Sequence, residues 1–208
     1  MIDSGTIFMF FTTSVLLALS PGPDNLFVMS QAAQHGRKAG LLVTLGLCTG
    51  LLFHTSAVTF GLAALFQASA AAFAVLKFTG AVYLLFLAWK SYSAETMTGT
   101  NVVTDRQNLF ALYCRGIIMN ITNPKVSIFF LAFLPQFADH SRGSLTPQLL
   151  LLGGIFVIAT IVVFGLISIL AGVFGAHFRK STFAQKVITR AAAAIFAGLA
   201  LKLALTQR

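Results

Sequence analysis

The stretch Ser20-Pro21-Gly22-Pro23-Asp24-Asn25 interrupts an apolar run that starts near Thr6 and resumes with Leu26-Phe27-Val28-Met29. Each proline removes a backbone donor and clashes with the preceding turn, so an undisturbed helix cannot pass through this stretch. Asp24 follows directly, and a charged side chain near the centre of a bilayer costs roughly 2.5–3.5 kcal/mol on insertion scales. Irregular backbone at that depth is tolerated where protein or a watery cavity surrounds it. The break and its acid therefore predict a binding site inside a membrane protein.

The composition is that of an integral membrane protein. The 208 residues are 57% hydrophobic and 9% charged, against about 25% charged residues in soluble domains, and the mean hydropathy is +0.88. The net charge of +9 does not indicate nucleic-acid binding, because the basic residues are scattered among short loops. Cys48 and Cys114 lie in or beside apolar runs and indicate neither a disulfide framework nor a metal cluster. No Lys or Arg precedes residue 37, so we expect the first apolar run to be a membrane segment rather than a cleaved signal.

Six apolar stretches are long enough to cross a bilayer, which takes about 20 residues. All are predicted to be helices, because they lack the alternation of polar and apolar residues that barrel strands show. They run over about 6–33, 39–66, 73–89, 109–137, 149–174 and 187–205. The first is broken at Pro21 and the fourth at Pro124. The predicted fold is therefore an all-α membrane protein with six transmembrane helices.

The orientation is predicted from the loops, because Lys and Arg are enriched on the cytoplasmic side of membrane proteins. The loops after the first, third and fifth stretches carry Arg37, Lys38, Lys90, Arg106, Arg115, Arg179, Lys180, Lys186 and Arg190. The opposite side carries Arg142 and Arg208. Both termini are therefore expected outside the cytoplasm.

Short matches indicate an internal repeat within a single domain, with one half over about 1–95 and the other over about 105–208. Ser20-Pro21 recurs as Asn123-Pro124, and Phe60-Gly61 recurs as Phe164-Gly165. Because each half has three stretches, the halves would insert with opposite orientation. Inverted repeats are a common transporter plan, and proline-interrupted spans at matching positions point to the binding site.

The two breaks have the form of helix starts. Asn123 suits an N-cap and Pro124 suits the first helical position. Ser20-Pro21 has the same form, and Gly22-Pro23 offers a second place to restart the helix. Each break would then present the unpaired N–H groups of a half-helix, which favour a carboxylate. The simpler alternative is a pair of proline kinks that ease helix packing.

Ionisable residues beside the breaks favour the binding site over the kinks. Asp24 is a candidate proton carrier, or a partner for the ammonium group of a substrate. Lys125 is its obvious counter-charge and could also bind a substrate carboxylate, unless the side chain snorkels to the surface. A structural ion pair of Asp24 and Lys125 is the alternative. His54 is a second candidate for proton coupling, although such a histidine is more often hydrogen-bonded to a neighbouring helix.

Several short stretches of the sequence, taken together, resemble the motifs of a known protein family. They are Leu19–Asn25, His35–Gly40, Gly80–Leu84 with Trp89 and Lys90, Asn120–Lys125 and Phe133–Phe137. In their order, and over nearly the whole chain, they resemble the LysE/RhtB family of amino-acid exporters. The resemblance implies a multi-pass protein of the bacterial inner membrane, with periplasmic termini, that exports a small neutral amino acid such as threonine, homoserine or leucine by proton antiport. The site residues expected from the breaks and from this resemblance are Ser20, Pro21, Gly22, Pro23, Asp24, Asn25, Asn123, Pro124 and Lys125.

Other functions fit parts of the sequence. Export of basic amino acids is one alternative, and export of metal cations is another. A metal site would want several inward carboxylates, His or Cys, and only Asp24, His54 and Cys48 are available. An intramembrane hydrolase needs a nucleophile near a base, but Ser56 lies two residues from His54 and faces elsewhere on a helix. A structural subunit of a larger complex also stays open.

The expected partners are an amino-acid substrate, protons and the lipid bilayer, with no nucleic acid. No catalytic residue, metal or cofactor is predicted. The sequence leaves open whether the protein works as a homo-oligomer.

Overall fold

The computed structural model of the protein describes residues 2–20, 22–62, 70–93, 108–178 and 182–205. Within these ranges the regular secondary structure is helical, without a strand. The eight α-helices are α1 Ser4–Leu19, α2 Pro23–His35, α3 Arg37–Ala57, α4 Ala70–Tyr92, α5 Leu109–Ile121, α6 Pro124–Ile128, α7 Leu145–Phe178 and α8 Thr182–Leu205. The predicted break residue Pro21 lies outside the described residues.

The helices follow the six apolar stretches of the sequence. Residues 37–61, which comprise α3 and most of a following π-helical turn, and residues 145–171 of α7 are each long and apolar enough to cross a membrane. The pairs α1 with α2 and α5 with α6 qualify as broken spans, bent by 63° and 48°. The apolar parts of α4 and α8, Phe78–Trp89 and Phe196–Leu205, are shorter. By length and composition, the described residues thus contain two clear spans and up to four when each bent pair counts as one.

The first break differs in detail from its prediction. Ser20 does not start the second half-helix; it is the C-cap of α1, and its amide donates to the Leu16 carbonyl at 3.0 Å. The restart falls at Gly22, the N-cap of α2, with Pro23 as the first helical residue. A residue before proline is driven out of the helical region and into extended backbone. Gly22 accordingly has φ −169° and ψ 176°, and α2 begins after it, at Pro23.

The second break matches its prediction. Asn123 is the N-cap of α6 and Pro124 takes the first helical position. The chain then continues through a π-helical turn, Phe129–Phe133, and a 3₁₀ turn, Leu134–Phe137. The 48° bend between α5 and residues 124–137 is therefore the structural consequence of an Asn-Pro helix start.

Two hydrophobic clusters form the core. The first, which we call the aromatic cluster, joins three parts of the chain: α1, the two turns that follow α6, and α7. Its members are Phe10, Phe129, Phe130, Phe133, Phe137 and Phe156. Its rings pack at centroid distances of 5.0–6.3 Å. The second, the aliphatic cluster, joins α1, α2, α3, α5 and α7 through Ala18, Val28, Ala39, Val43, Leu47, Leu112, Val163 and Phe164. Aromatic ring pairs stabilise a core beyond the contribution of the area that they bury, so the aromatic cluster gains this additional stabilisation.

Close packing of α3 on α5 depends on glycine. A Cβ at Gly46 would lie 2.9 Å from the Cα of Gly116, so the two backbones approach too closely for any side chain. One turn later, a Cβ at Gly50 would lie 2.6 Å from the Cβ of Asn120. The spacing of Gly46 and Gly50 is the small-residue pattern that lets membrane helices pack closely. This packing fixes the position of Asn120 near the second break.

Candidate functional site

Lys125 joins the two breaks. Its Nζ donates to the carbonyl of Ser20 at 3.1 Å and to that of Leu17 at 3.3 Å. The side chain is only 5% exposed, so the ammonium is held inside the protein at the end of α1 rather than at its surface. The last carbonyls of a helix have no intrahelical partner and carry the negative end of its dipole. The second half of the chain therefore supplies the cation that completes a helix end in the first half.

Asn25 completes the same helix end from α2. Its Nδ2 donates to the carbonyl of Ala18 at 2.6 Å. With Lys125 on Leu17 and Ser20, three carbonyls of the final turn of α1 are bonded by side chains from other helices. The end of α1 is thus held by side chains from α2 and α6.

The start of α2 lies beside the same ammonium and is open. Gly22 offers no side chain to cap the helix, and Pro23 has no N–H. A Cβ at Gly22 would lie 3.0 Å from Nζ of Lys125, so glycine leaves the room that the ammonium occupies. The next two amides, of Asp24 and Asn25, have no side-chain cap. Such N–H groups, together with the helix dipole, favour an anion.

Asp24 lies in this first turn of α2 and is 2% exposed. Its Oδ1 has no hydrogen-bond partner among the described residues. The Lys125 ammonium, the side-chain amides of Asn123 and Asn120, and His54 are near enough to act on the carboxyl group. Asp24 and Lys125 nevertheless do not close an ion pair with each other, because Nζ points to the carbonyls of α1. A buried carboxylate without a direct cation is costly unless a ligand completes it.

His54 and Asn120 lie behind this carboxylate. Nε2 of His54 is 3.1 Å from the main-chain oxygen of Asn120, and because a carbonyl only accepts, Nε2 carries the proton. This is the hydrogen bond to a neighbouring helix that the sequence offered as an alternative for His54. Oδ1 of Asn120 is buried and has no partner in the described part of the chain. Asn120 is missing from the residues predicted for the site, although an asparagine inside an apolar run one turn before a break is a usable signal.

Asn123 closes the second break from within. Its Oδ1 accepts the backbone N–H of Lys125 at 3.0 Å, which makes it the predicted N-cap of α6. Its Nδ2 is buried and lacks a hydrogen bond among the described residues, and this amide is one of the groups that act on Asp24.

The structure therefore brings together most of the predicted site residues. Ser20, Asp24, Asn123 and Lys125 are all buried there. Pro23 and Pro124 are exposed, so they shape the breaks without facing the carboxylate. Within the ranges that the structure describes, His, Cys, Asp and Glu do not gather in a group of three that could hold a metal.

A buried carboxylate, a buried ammonium and an open helix start between two broken apolar helices are typical of membrane transporters. The comparison with known families agrees with this class. Residues 15–207 match the family described as LysE type translocator. The chain belongs to this family.

Similar curated proteins are bacterial membrane proteins. The chain is 35% identical over 144 residues to the homoserine/homoserine lactone efflux protein of Salmonella typhimurium, covering 69% of this chain and 70% of that protein. It is 35% identical over 172 residues to an uncharacterised membrane protein of Vibrio cholerae, covering 81% and 82%. A further uncharacterised membrane protein, from Bacillus subtilis, is 28% identical over 202 residues, covering 93% and 95%. No solved structure matches the chain.

Proposed function

We propose that the protein is a secondary transporter that exports a small neutral amino acid, such as threonine, homoserine or leucine, across the bacterial inner membrane in exchange for protons. The observation that carries this is the hydrogen bonding of Lys125 to the carbonyls of Leu17 and Ser20, beside Asp24, whose Oδ1 has no hydrogen-bond partner in the described part of the chain. Opposite charges and open amides in one buried place match the two charges of an α-amino acid. The family and the efflux protein among its relatives support the same conclusion.

The proposed architecture is six spans in two inverted repeats. Two helix pairings are consistent with an exchange of the halves: α3 packs on α5 as α7 packs on α1, and α4 packs on α8. Gly22 and Lys125 hold matching positions after Ser20-Pro21 and Asn123-Pro124, and they lie against each other, as equivalent residues near a two-fold axis must.

Periplasmic termini are part of the same proposal. Arg142 lies 3.0 Å from Oδ2 of Asp3. This ion pair supports the placement of the N-terminal end and the loop after the second broken span on one side of the membrane. The bacterial relatives support an inner-membrane location.

In the proposed binding mode, the two ends of the amino acid are read by different groups. The carboxylate meets the open amides of Asp24 and Asn25 and the nearby charge of Lys125. The ammonium meets the carboxylate of Asp24 and the free acceptor Oδ1 of Asn120. Because a proton on Asp24 would remove its charge, protonation and ammonium binding compete, and this competition couples export to proton entry. His54, close to the carboxyl group, is the second candidate for carrying that proton.

A neutral side chain is favoured over a basic one by the shortage of acids. Lysine would bring a second ammonium that needs its own partner. Apart from Asp24, the described acids are Asp3 and Asp139, and both are bound to Arg142. In the described part of the chain, the side chain of a basic amino acid would therefore find no second free anion.

Counterflow in proteoliposomes tests the proposal. Vesicles loaded with unlabelled threonine, homoserine, leucine or lysine receive labelled homoserine outside, and we expect stimulated uptake with the neutral amino acids and little with lysine. Homoserine lactone, which lacks the carboxylate, should compete more weakly than homoserine if the open amides of α2 bind that group. Absence of exchange with every amino acid, from folded protein, would refute the proposed function. An imposed pH gradient then tests the coupling.

A further inference from the structure

One face of α2 carries polar groups well beyond the candidate site. Asp24, Val28, Gln31 and His35 lie on this face, because residues spaced by four, seven and eleven positions share one side of a helix. Oδ1 of Asp24, Oε1 of Gln31 and both ring nitrogens of His35 are buried without a hydrogen-bond partner among the described residues. Gln31 is 4% exposed. More than about 90% of buried polar groups in proteins are paired, so this accumulation on one helix face needs an explanation.

The polar face has a direction. From Asp24 to His35 it extends about 16 Å, at about 1.5 Å per residue, which is close to half of the roughly 30 Å hydrocarbon core of a bilayer. It begins at the broken middle of the first span and ends at Gly36, where φ is +82° and the chain turns into α3. Arg37 and Lys38 follow, on the side predicted to be cytoplasmic. The polar groups thus connect the site to one end of the bundle.

Val28 interrupts this face between the two polar parts. It is 0% exposed and belongs to the aliphatic cluster, together with Val43 and Leu47 of α3 and Val163 and Phe164 of α7. In this conformation the polar groups on either side of Val28 are therefore separated by packed side chains. Movement of α2 away from α3 and α7 would open the connection.

We propose that this face of α2 is the inner half of the translocation path. Gln31 and His35 exchange hydrogen bonds with the amino acid on its way between the cytoplasm and Asp24, and Val28 is the hydrophobic gate that separates them from the site. The inference rests on the proposed function, since it deepens the transport role of the same helix. Groups that must bind a moving solute are left without fixed partners, which explains why Oε1 of Gln31 and the ring nitrogens of His35 have none within the described ranges.

Thiol accessibility tests the path without requiring knowledge of the substrate. Single cysteines replace Gln31, His35 and Val28 in a background with Cys48→Ala and Cys114→Ala, and a hydrophilic, positively charged methanethiosulfonate is added to inside-out vesicles. Ala32→Cys is the matched control, because Ala32 is 0% exposed and lies at the margin of this face, packed against Gly40 of α3. We expect cysteines at 31 and 35 to react about tenfold faster or more than the control, since reaction follows access. The cysteine at 28 should react faster than the control during counterflow.

The outcomes separate the path from the function. If cysteines at 31 and 35 react as slowly as Ala32→Cys while counterflow proceeds, the path is overturned and the proposed function stands. If they react quickly but no amino acid supports counterflow or slows the reaction, the path is a water-filled crevice and the proposed function fails. Should Gln31→Cys not fold, His35→Cys alone decides by the same criterion, because His35 lies at the partly exposed end of the face.

Discussion

The two breaks have similar sequences, but their helix starts differ in the structure. At the second break, Asn123 caps α6 with its own side chain. At the first, Gly22 leaves α2 without a side-chain cap, and Oδ1 of Asp24, in the first turn, has no hydrogen-bond partner among the residues that the structure describes. Lys125 belongs to the second break but bonds the carbonyls of Leu17 and Ser20 at the first.

The difference assigns separate roles to the two breaks. The second break is complete within itself and contributes a cation across the interface. The first break keeps an open helix start and a carboxylate, which are the groups that a zwitterionic ligand needs. If the halves form the proposed inverted repeat, they therefore contribute different groups to one site.

Among the substitutions that test this difference between the breaks, replacement of Lys125 should have the largest effect on transport and stability. Lys125→Met keeps the chain length but leaves the carbonyls of Leu17 and Ser20 buried without a donor, at a cost of about 1–3 kcal/mol for each unsatisfied group. We expect counterflow to disappear. The unfolding temperature of the detergent-solubilised protein should fall by several degrees, since each kcal/mol of lost stability lowers it by about 2–4 °C. The exposed Lys38→Met serves as the control. Full counterflow by Lys125→Met would show that the ammonium is a helix cap and nothing more.

Loss of the charge on Asp24 comes next. Asp24→Asn is nearly isosteric, so the fold should survive while the ammonium loses a charge-assisted bond, which is worth about 1.5–3 kcal/mol. That corresponds to a rise in the apparent dissociation constant of about 10- to 100-fold, together with loss of stimulation by a pH gradient. Asp139→Asn, away from both breaks and beside Arg142, is the control for removal of an acid. A variant with unchanged rate and unchanged pH dependence would remove Asp24 from the coupling.

The two N-caps allow a smaller and sharper test. Asn123→Ala removes a capping side chain and should cost about 1 kcal/mol of stability, or about 2–4 °C in unfolding temperature. Gly22→Ala removes no cap and suits extended backbone, but its Cβ would lie 3.0 Å from Nζ of Lys125. We expect it to weaken substrate affinity with little effect on stability. Equal effects of both substitutions on unfolding temperature would contradict the assigned difference between the breaks.

The smallest effect is expected where Asp3, Asp139 and Arg142 meet, away from both breaks. The amide and hydroxyl of Thr6, with Arg142, hold the pKa of Asp3 below its usual 3.8, and the Ser141 hydroxyl and amide do the same for the pKa of Asp139. A lowered pKa stabilises the fold above the ordinary value, and this stabilisation is lost as the pH falls through the lowered pKa. Unfolding temperature should therefore drop slightly below about pH 4. Arg142→Gln should reduce this drop; an identical pH profile would exclude the contact as its cause.

The positions of the breaks were predictable because proline acts locally. Pro124 and its preceding Asn123 determine a helix start from two adjacent residues, and the structure places it there. The first break was harder, since Pro21 and Pro23 offer two starts. Pro23 keeps Gly22 out of the helical region, so the helix starts at Pro23. The sequence contains this restriction, but it does not by itself tell which of the two prolines starts the helix.

The contacts within the site were harder to predict from the sequence, because they depend on the packing of helices that are far apart in the chain. The sequence marks Asp24 and Lys125 as the natural ion pair, yet the ammonium bonds carbonyls more than 100 positions away in the chain. Asn120 joins the site because Gly50 on α3 leaves room for it. Neither arrangement follows from periodicity, because each needs the relative position of two helices.

The backbone contact between Gly46 and Gly116 has a mechanical consequence. It joins the two halves of the chain at a point where neither helix has a side chain that could bend or re-pack. Such a contact resists sliding but permits rotation, so it can serve as a fulcrum. We expect the halves to rock about this point, with the greatest displacement at the bundle ends farthest from it and the least beside Asn120, one turn away.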